Sequence, residues 1–305
     1  MSQRNVFPRL PIRPAYSTAW GRSYCADARD LLQRFPDESV SLVLTSPPFA
    51  LRRQKAYGNV APKEYIDWFL PFAEQIQRIL RADGSFVLDI GGAWNRGSAT
   101  RSLYHYQLVL KLIESGWFHL AQDFYWYNPS KLPTPAEWVT IRRTRVKDAV
   151  TTLWWLSKSE NPNADNRRVL KPYSRSMKRL LRDGYEVARR PSQHDISPHF
   201  RRDNGGAIPP NLLAVPNTRS NDDYFRRCRE AGLPIHPARF PDAVPDFFIR
   251  FLTEPGQLVV DPFAGSNVTG YVAESLNRRW IAIEINADYV SGSRLRFGSP
   301  KKNAA

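Results

Sequence analysis

The sequence predicts an α/β fold whose sheet-forming part is interrupted by an inserted region. Three observations carry this. Short apolar strands alternate with helical stretches along most of the chain. The run LVVDPFAGSNVTG places a strand, a glycine-containing turn and a helix in immediate succession. Near Ser157 the character changes to a basic, proline-containing stretch with little periodicity. At 305 residues, 42% of them hydrophobic, the chain can bury a sizeable core as one large domain or a domain with an insert.

In chain order, residues 1–18 form a Pro/Arg-rich arm. Val40–Thr45 reads as a buried strand. Glu64 to Leu80 follows as a helix, because Tyr65, Trp68, Phe69, Phe72, Ile76 and Ile79 recur at helical spacing. Pro71 inside it is expected to kink or split it. Asp83-Gly84 turns the chain into a strand at Ser85–Asp89. A helix over Ser102–Glu114 ends at Gly116, a C-cap residue. Phe118–Trp126 and Ala149–Leu156 read as two further strands.

From Glu160 to Gly206 eleven Arg or Lys face six acids, and RSMKRLLRDGY offers one short basic helix. After IPPNLLAVPN regularity returns. Phe247–Leu252 suggests a helix, Leu258–Val260 a strand, and Trp280–Ile283 a last strand ending at Glu284. The expected division is therefore 1–157, an inserted 158–228, and 229–305, ending in the polar tail GSPKKNAA.

The net charge of +15 points to a polyanionic partner, of which nucleic acid is the commonest, and abundant aromatics add stacking capacity. No apolar run reaches the roughly 18 residues of a membrane span, and the N-terminal segment lacks a signal-peptide core. Cys25 and Cys228 form neither a disulfide framework nor a metal-ligand spacing, which suits a reducing cytoplasm and predicts no metal.

Gln257–Glu274 carries the cofactor signal. A strand leads through Asp261 into a turn of Phe263, Gly265, Ser266 and Asn267, where small residues let a ligand approach the backbone. Glu284 lies nineteen residues beyond Gly265, where a carboxylate can take both ribose hydroxyls. Without a full G-x-G-x-x-G there is little to cradle a pyrophosphate, so a nucleoside ligand such as S-adenosylmethionine fits better than a nicotinamide cofactor.

DPFAGSNVTG and the earlier TSPPF resemble the two signature motifs of amino-directed DNA methyltransferases. Their order, with TSPPF about 215 residues ahead of the cofactor turn, resembles the circularly permuted β group. HPARFP at 236–241 is similar to that group's cofactor-side motif, and FYWYNPSKLP at 124–133 to its segment beside the target base. The resemblance runs from about Pro14 to Arg296. It implies a Rossmann-like, class I S-adenosylmethionine-dependent methyltransferase sheet with permuted motif order, and makes 158–228 the target-recognition region. PAYSTAW, SKLPTPAEW and NGGAIPPNLL resemble a cytosine-N4 enzyme of the group that acts on CAGCTG. The turn departs from the usual DPFxGSGTT at Asn267, which tolerates left-handed backbone better than other non-glycine residues.

The motif's chemistry is legible. An exocyclic amine must be held through its N–H groups by acceptors, so that its lone pair turns toward the methyl donor. Ser46 Oγ and the Pro47 carbonyl can accept those bonds. Pro47 and Pro48 present no competing N–H and stiffen the tip, and Phe49 offers a face for a base swung out of the duplex. Carbon-5 methylation needs a Pro-Cys loop, which neither Cys25 nor Cys228 supplies.

The resemblance adds Asp27, toward the cofactor adenine, although it could equally cap a helix at Ala28–Leu32. It also adds Tyr16, Ser17 and Thr18 on the cofactor side, and Trp126 and Lys131 beside the target base. Arg52, Arg53 and Lys55 follow the tip as expected phosphate contacts, with Arg142 and Arg143 in a second basic cluster that continues to Arg145 and Lys147. The reading implied is a bacterial, cytoplasmic DNA cytosine-N4 methyltransferase acting on double-stranded DNA, whose partner endonuclease is functional only. An adenine-N6 enzyme of the same fold and a non-catalytic DNA-binding protein remain as alternatives.

Overall fold

The computed structural model describes residues 7–50, 60–95, 97–184, 202–218 and 222–297. The chain divides into two compact units, one of residues 1–164 and 211–305, the other of residues 165–210.

The larger unit begins with β1 (Tyr16–Ser17), β2 (Gly21–Cys25), α1 (Ala28–Leu32) and β3 (Val40–Thr45). It continues with α2 (Tyr65–Ile79), β4 (Leu80–Ile90), α3 (Tyr104–Glu114), β5 (His119–Tyr127) and β6 (Val150–Ser157). In the smaller unit the one α-helix among the described residues is α4 (Arg175–Asp183), capped by Ser174. The larger unit resumes at β7 (Leu212–Ala214) and α5 (Asp223–Glu230). It ends with α6 (Ala243–Leu252), β8 (Leu258–Asp261), α7 (Val268–Ser275), β9 (Arg279–Glu284) and α8 (Ala287–Arg294).

Among the described residues nine strands form one sheet in the order β1-β2-β9-β8-β3-β4-β6-β5-β7. From β2 to β4 all pairings are parallel, while β6 runs antiparallel to both β4 and β5. The carboxyl ends of β2, β9, β8, β3, β4, β5 and β7 therefore share one edge of the sheet with the start of β6. Strand order reverses between β8, which leads outward to β9, and β3, which leads the other way to β4. Such a switch point opens a crevice at the strand ends. Helices α1, α2 and α3 pack side by side, and α6 packs on α7. Val43, Phe86 and Leu88 meet Phe69, Phe72 and Ile76 of α2 in the main core.

Three expectations shift. α2 is a single helix through Pro71, because one missing donor is outweighed by the continuous buried face of Phe69, Phe72, Ala73 and Ile76. β4 begins directly after α2 and carries Asp83-Gly84 as an irregularity, with Val40 opposite Leu80 but Leu42 opposite Ser85. The compact insert is also shorter than 158–228, since 212–214 rejoin the sheet beside β5 and α5 belongs to the larger unit. Among the described residues no helix is long and apolar enough to cross a membrane.

Candidate active site at the strand ends

A cavity of about 620 Å³ opens along the shared edge. Asp27, Ser46, Asp89, Trp126, Asp261 and Glu284 all line it, which is the direct consequence of the parallel pairing.

On one side lies the glycine turn. Asp261, fully buried at the end of β8, accepts from Thr45 Oγ1 (2.6 Å), Thr269 Oγ1 (2.7 Å) and the Phe263 amide (3.1 Å). Burial pushes its carboxyl up to about 6, and these bonds restrain the rise. Gly265 adopts φ +50°, and a Cβ there would lie 2.9 Å from the His236 ring, so only glycine fits. Glu284 accepts from the Gly265 amide through Oε2 and from the Asn286 amide through Oε1, both at 2.9 Å. Burial raises the Glu284 carboxyl above its ordinary range. Phe263 packs on Phe72 and Trp68, and with Ile285 gives the cavity an apolar wall. Ser266 lines the cavity and is held from behind by Arg296, which donates to its carbonyl (2.5 Å) and hydroxyl (3.0 Å).

Asp27 caps a helix and also lines the cavity. It caps α1 through the Arg29 amide (2.8 Å), pairs with the Arg29 guanidinium (2.7 Å), and still lines the cavity. Arg29 holds its carboxyl below the usual range.

Asn267, Tyr16 and Thr18 are not brought into the cavity. Asn267 takes the left-handed conformation (φ +53°), caps α7 by accepting from the Gly270 amide (3.0 Å), and donates to Tyr16 Oη (3.0 Å). Tyr16 Oη in turn meets Ser293 Oγ (2.7 Å), so this tyrosine braces the turn from behind. Thr18 bonds Glu274, which also accepts from Trp280 Nε1. Ser17 and Thr18 line a separate depression with Tyr16. The direct cofactor contacts expected of these residues are corrected to support.

On the other side lies the tip of β3. Ser46 Oγ donates to Asp89 Oδ2 (3.0 Å). That leaves the serine lone pairs as its remaining hydrogen-bonding capacity. Tyr65 Oη donates to the Pro48 carbonyl (2.9 Å), which leaves the Pro47 carbonyl as the tip's other acceptor. Tyr104 accepts from the Ala50 amide (3.4 Å) and donates to the Gly91 carbonyl. Phe49 lies so tightly on Gly91 that a Cβ there would sit 2.5 Å from the ring.

Asp89 was not singled out in the sequence. Its Oδ1 is buried with no hydrogen-bond partner among the described residues. Burial lifts its carboxyl to about 7, against the opposing pulls of Ser46 and Lys131. The signal that could have found it is the one that found Glu284, an acid closing a buried parallel strand.

Opposite the tip stand Trp126, Lys131, Thr151 and Asn217. Trp126 Nε1 donates to the Val215 carbonyl (2.9 Å). Asn128 Oδ1 accepts from the Ser130 (3.1 Å) and Asn217 (3.2 Å) amides, tying these pieces of wall together. Of the expected DNA contacts among the described residues, only Lys131 lines the cavity. Arg142 pairs with Glu137 (2.7 Å) over the Trp138 ring, and Arg143 follows it with φ +54°. Arg145 donates to the Ala99 carbonyl (2.7 Å), and Lys147 to the carbonyls of Pro129 and Lys131. Arg52, Arg53 and Lys55 lie outside the described residues.

The N6_N4_Mtase family model, described as DNA methylase, matches residues 40–294. Type II methyltransferase M.PvuII of Proteus hauseri is 54% identical over 288 residues, covering 93% of this chain and 86% of that protein. Type II methyltransferase M.BglII of Bacillus subtilis is 25% identical over 293 residues, covering 92% and 70%. The solved PvuII DNA methyltransferase (cytosine-N4-specific) superposes with a TM-score of 0.78 at 46% identity, covering 97% of this chain and 92% of that one. With its two motifs converging on one cavity, the chain belongs to the N6/N4 DNA methylase family.

Proposed function

We propose that this protein transfers a methyl group from S-adenosylmethionine to the exocyclic N4 of a cytosine flipped out of double-stranded DNA. We place it in a bacterial cytoplasm as the modification partner of a restriction endonuclease, acting within CAGCTG. The observation that carries the reading is the Ser46–Asp89 pair in the same cavity as the glycine turn. The 54% identity to M.PvuII and the solved cytosine-N4 enzyme support the choice of base.

The residues present fit the cofactor. Glu284 and Asp27 offer carboxylates to hydroxyl and amine donors, Phe263 and Ile285 an apolar wall, and Gly265 a turn with no side chain in the way. When bound, the cofactor supplies an electrophilic methyl group on a sulfonium.

The chain's own groups then set the acceptor. Asp89 draws the Ser46 hydroxyl hydrogen to itself, so Ser46 Oγ receives one amine N–H. The Pro47 carbonyl receives the other. Neither proline presents an amide that would compete for the amine lone pair. Phe49, fixed against Gly91, supports the base by its ring. Once the nitrogen has taken the methyl carbon it sheds one proton, which passes through Ser46 Oγ to Asp89. A carboxyl near 7 can receive that proton and return it to water.

The test is to incubate the protein with a CAGCTG duplex and labelled S-adenosylmethionine, then identify the methylated nucleoside by mass spectrometry. N4-methylcytosine is expected. N6-methyladenine without N4-methylcytosine would assign the adenine alternative, and DNA binding without methylation would assign a non-catalytic role.

A further inference from the structure

Two tyrosines that take no part in the chemistry above open the two helices beside the β3 tip. Tyr65 is the first residue of α2 and Tyr104 the first of α3. Helical side chains tilt toward the N-terminus, so a residue in the first position reaches past the helix start. Both are buried, at 0% and 1% exposure, and their rings meet edge to face at 4.9 Å. A phenylalanine would pack in either place as well. A buried hydroxyl is costly unless it is bonded, so the partners of these two show what they add.

Those partners bracket Phe49. Tyr65 Oη donates to the Pro48 carbonyl (2.9 Å), which lies in the peptide plane before Phe49. Tyr104 Oη accepts from the Ala50 amide (3.4 Å), which lies in the plane after it, and donates to the Gly91 carbonyl. Only φ and ψ are soft in a backbone, so holding both flanking planes sets both torsions of Phe49. Gly91 is also the residue on which the Phe49 ring is seated, with no room for a Cβ. Tyr104 therefore ties the backbone of Phe49 to the surface its ring rests on. Tyr65 acts one residue earlier. The Pro48 ring locks its own φ, so a held Pro48 carbonyl fixes the remaining torsion and with it the direction of the Pro47 carbonyl. Burial, with Asp89 contributing, pushes both phenols above their ordinary range, so each stays a protonated donor while Asp89 titrates.

We propose that Tyr65 and Tyr104 are positioning residues for methyl transfer, Tyr65 aiming the Pro47 carbonyl at the amine and Tyr104 holding Phe49 as the platform of the flipped base. This rests on the reading that the cavity takes a cytosine out of duplex DNA. The alternative is a purely structural role, in which loss of either hydroxyl loosens the core and touches every function alike.

The experiment removes each hydroxyl alone, with Tyr65→Phe and Tyr104→Phe in the full-length protein. It reads single-turnover methylation and KM on a CAGCTG duplex, and calorimetric affinity for S-adenosylmethionine. It also reads the fluorescence of 2-aminopurine at the target position, which brightens when the base leaves the stack. Tyr65→Phe slows methylation by about tenfold to a hundredfold with the fluorescence gain and KM for the duplex retained, because a misdirected acceptor costs rate and not binding. Tyr104→Phe lowers the fluorescence gain together with the rate, because a loosened platform holds the base less well. Both variants keep the wild-type cofactor affinity. An unchanged rate in Tyr65→Phe overturns the aiming role, and an unchanged fluorescence gain in Tyr104→Phe overturns the platform role. Cofactor affinity falling in step with rate overturns both and leaves the pair as core residues. A wild-type protein that neither brightens the probe nor methylates the duplex refutes the base-flipping reading itself, a distinct outcome.

Discussion

Replacing Asp89 with Asn removes a buried titrating group while keeping an oxygen for the Ser46 hydroxyl. In the folded protein the Asp89 carboxyl stands near 7 against an ordinary value of 3.8, and burial is the main cause. Between those values the folded state holds a proton that the unfolded chain has released. The stability this proton confers is fully present below the unfolded pKa and is lost as pH rises through the folded one. At about 1.4 kcal/mol per unit, the wild-type protein loses about 2–3 kcal/mol through this residue between about pH 5 and pH 8.5. Asp89→Asn cannot lose it. Urea denaturation at both pH values should show the variant gaining that much on the wild type as pH rises. Asp261 also titrates in this range, but it does so in both proteins and cancels in the double difference. A variant-minus-wild-type difference that stays flat with pH would refute the assignment of Asp89 as a buried acid of raised pKa. Turnover carries the opposite sign. Only ionised Asp89 can draw the Ser46 hydrogen away from the amine. The wild-type rate should therefore climb through about pH 7, while the variant is slower by about a hundredfold or more and lacks that limb.

Gly91→Ala puts a methyl group 2.5 Å from the Phe49 ring, so the ring must leave its seat. Single-turnover methylation should fall at least about tenfold while calorimetric cofactor affinity holds, because Phe49 supports the base and not the nucleoside. Asn267→Ala loses the cap on Gly270 and the bond to Tyr16 and leaves alanine at φ +53°. Denaturation should show a loss of about 2 kcal/mol, with weaker cofactor binding as the turn loosens.

The glycine turn and the β3 tip were legible because their chemistry is local. An apolar run, an acid, a glycine and a helix start fall within a few residues, and two prolines after a strand can only form a donor-poor tip. What escaped is what only the sheet brings together. Asp89 is 43 positions from Ser46, and its meaning depends on β3 and β4 lying side by side. Tyr16 and Thr18 looked like cofactor contacts because their segment matched one. Yet the register of β1 on β2 sends Tyr16 to Asn267 and Ser293, and Thr18 bonds Glu274, all behind the turn. HPARFP was legible only as a cofactor-side motif, since nothing in it says that the His236 ring meets Gly265. The insert was drawn too wide because charge marks a solvated face and not a boundary. The chain rejoins the sheet at Leu212 through hydrogen bonds to β5 that composition does not report.

The two halves of the site are joined at one peptide bond. Thr45 and Ser46 are consecutive at the end of β3. Thr45 donates to Asp261 on one neighbouring strand, and Ser46 to Asp89 on the other. β3 lies between β8 and β4, with Thr45 its last residue and Ser46 the first beyond it, so a single dipeptide reaches both the cofactor turn and the amine-holding tip. Both carboxylates are fully buried and both are pushed up by that burial, to about 6 and about 7. They differ in what else they hold. Among the described residues Asp261 has three donors and is committed to holding the turn, whereas Asp89 has one donor and an open oxygen. A fully bonded acid is suited to fixing a distance, and an under-bonded one to accepting a proton. β3 supplies one of each across adjacent residues, so the spacing between methyl donor and amine is set by the sheet itself and not by a loop.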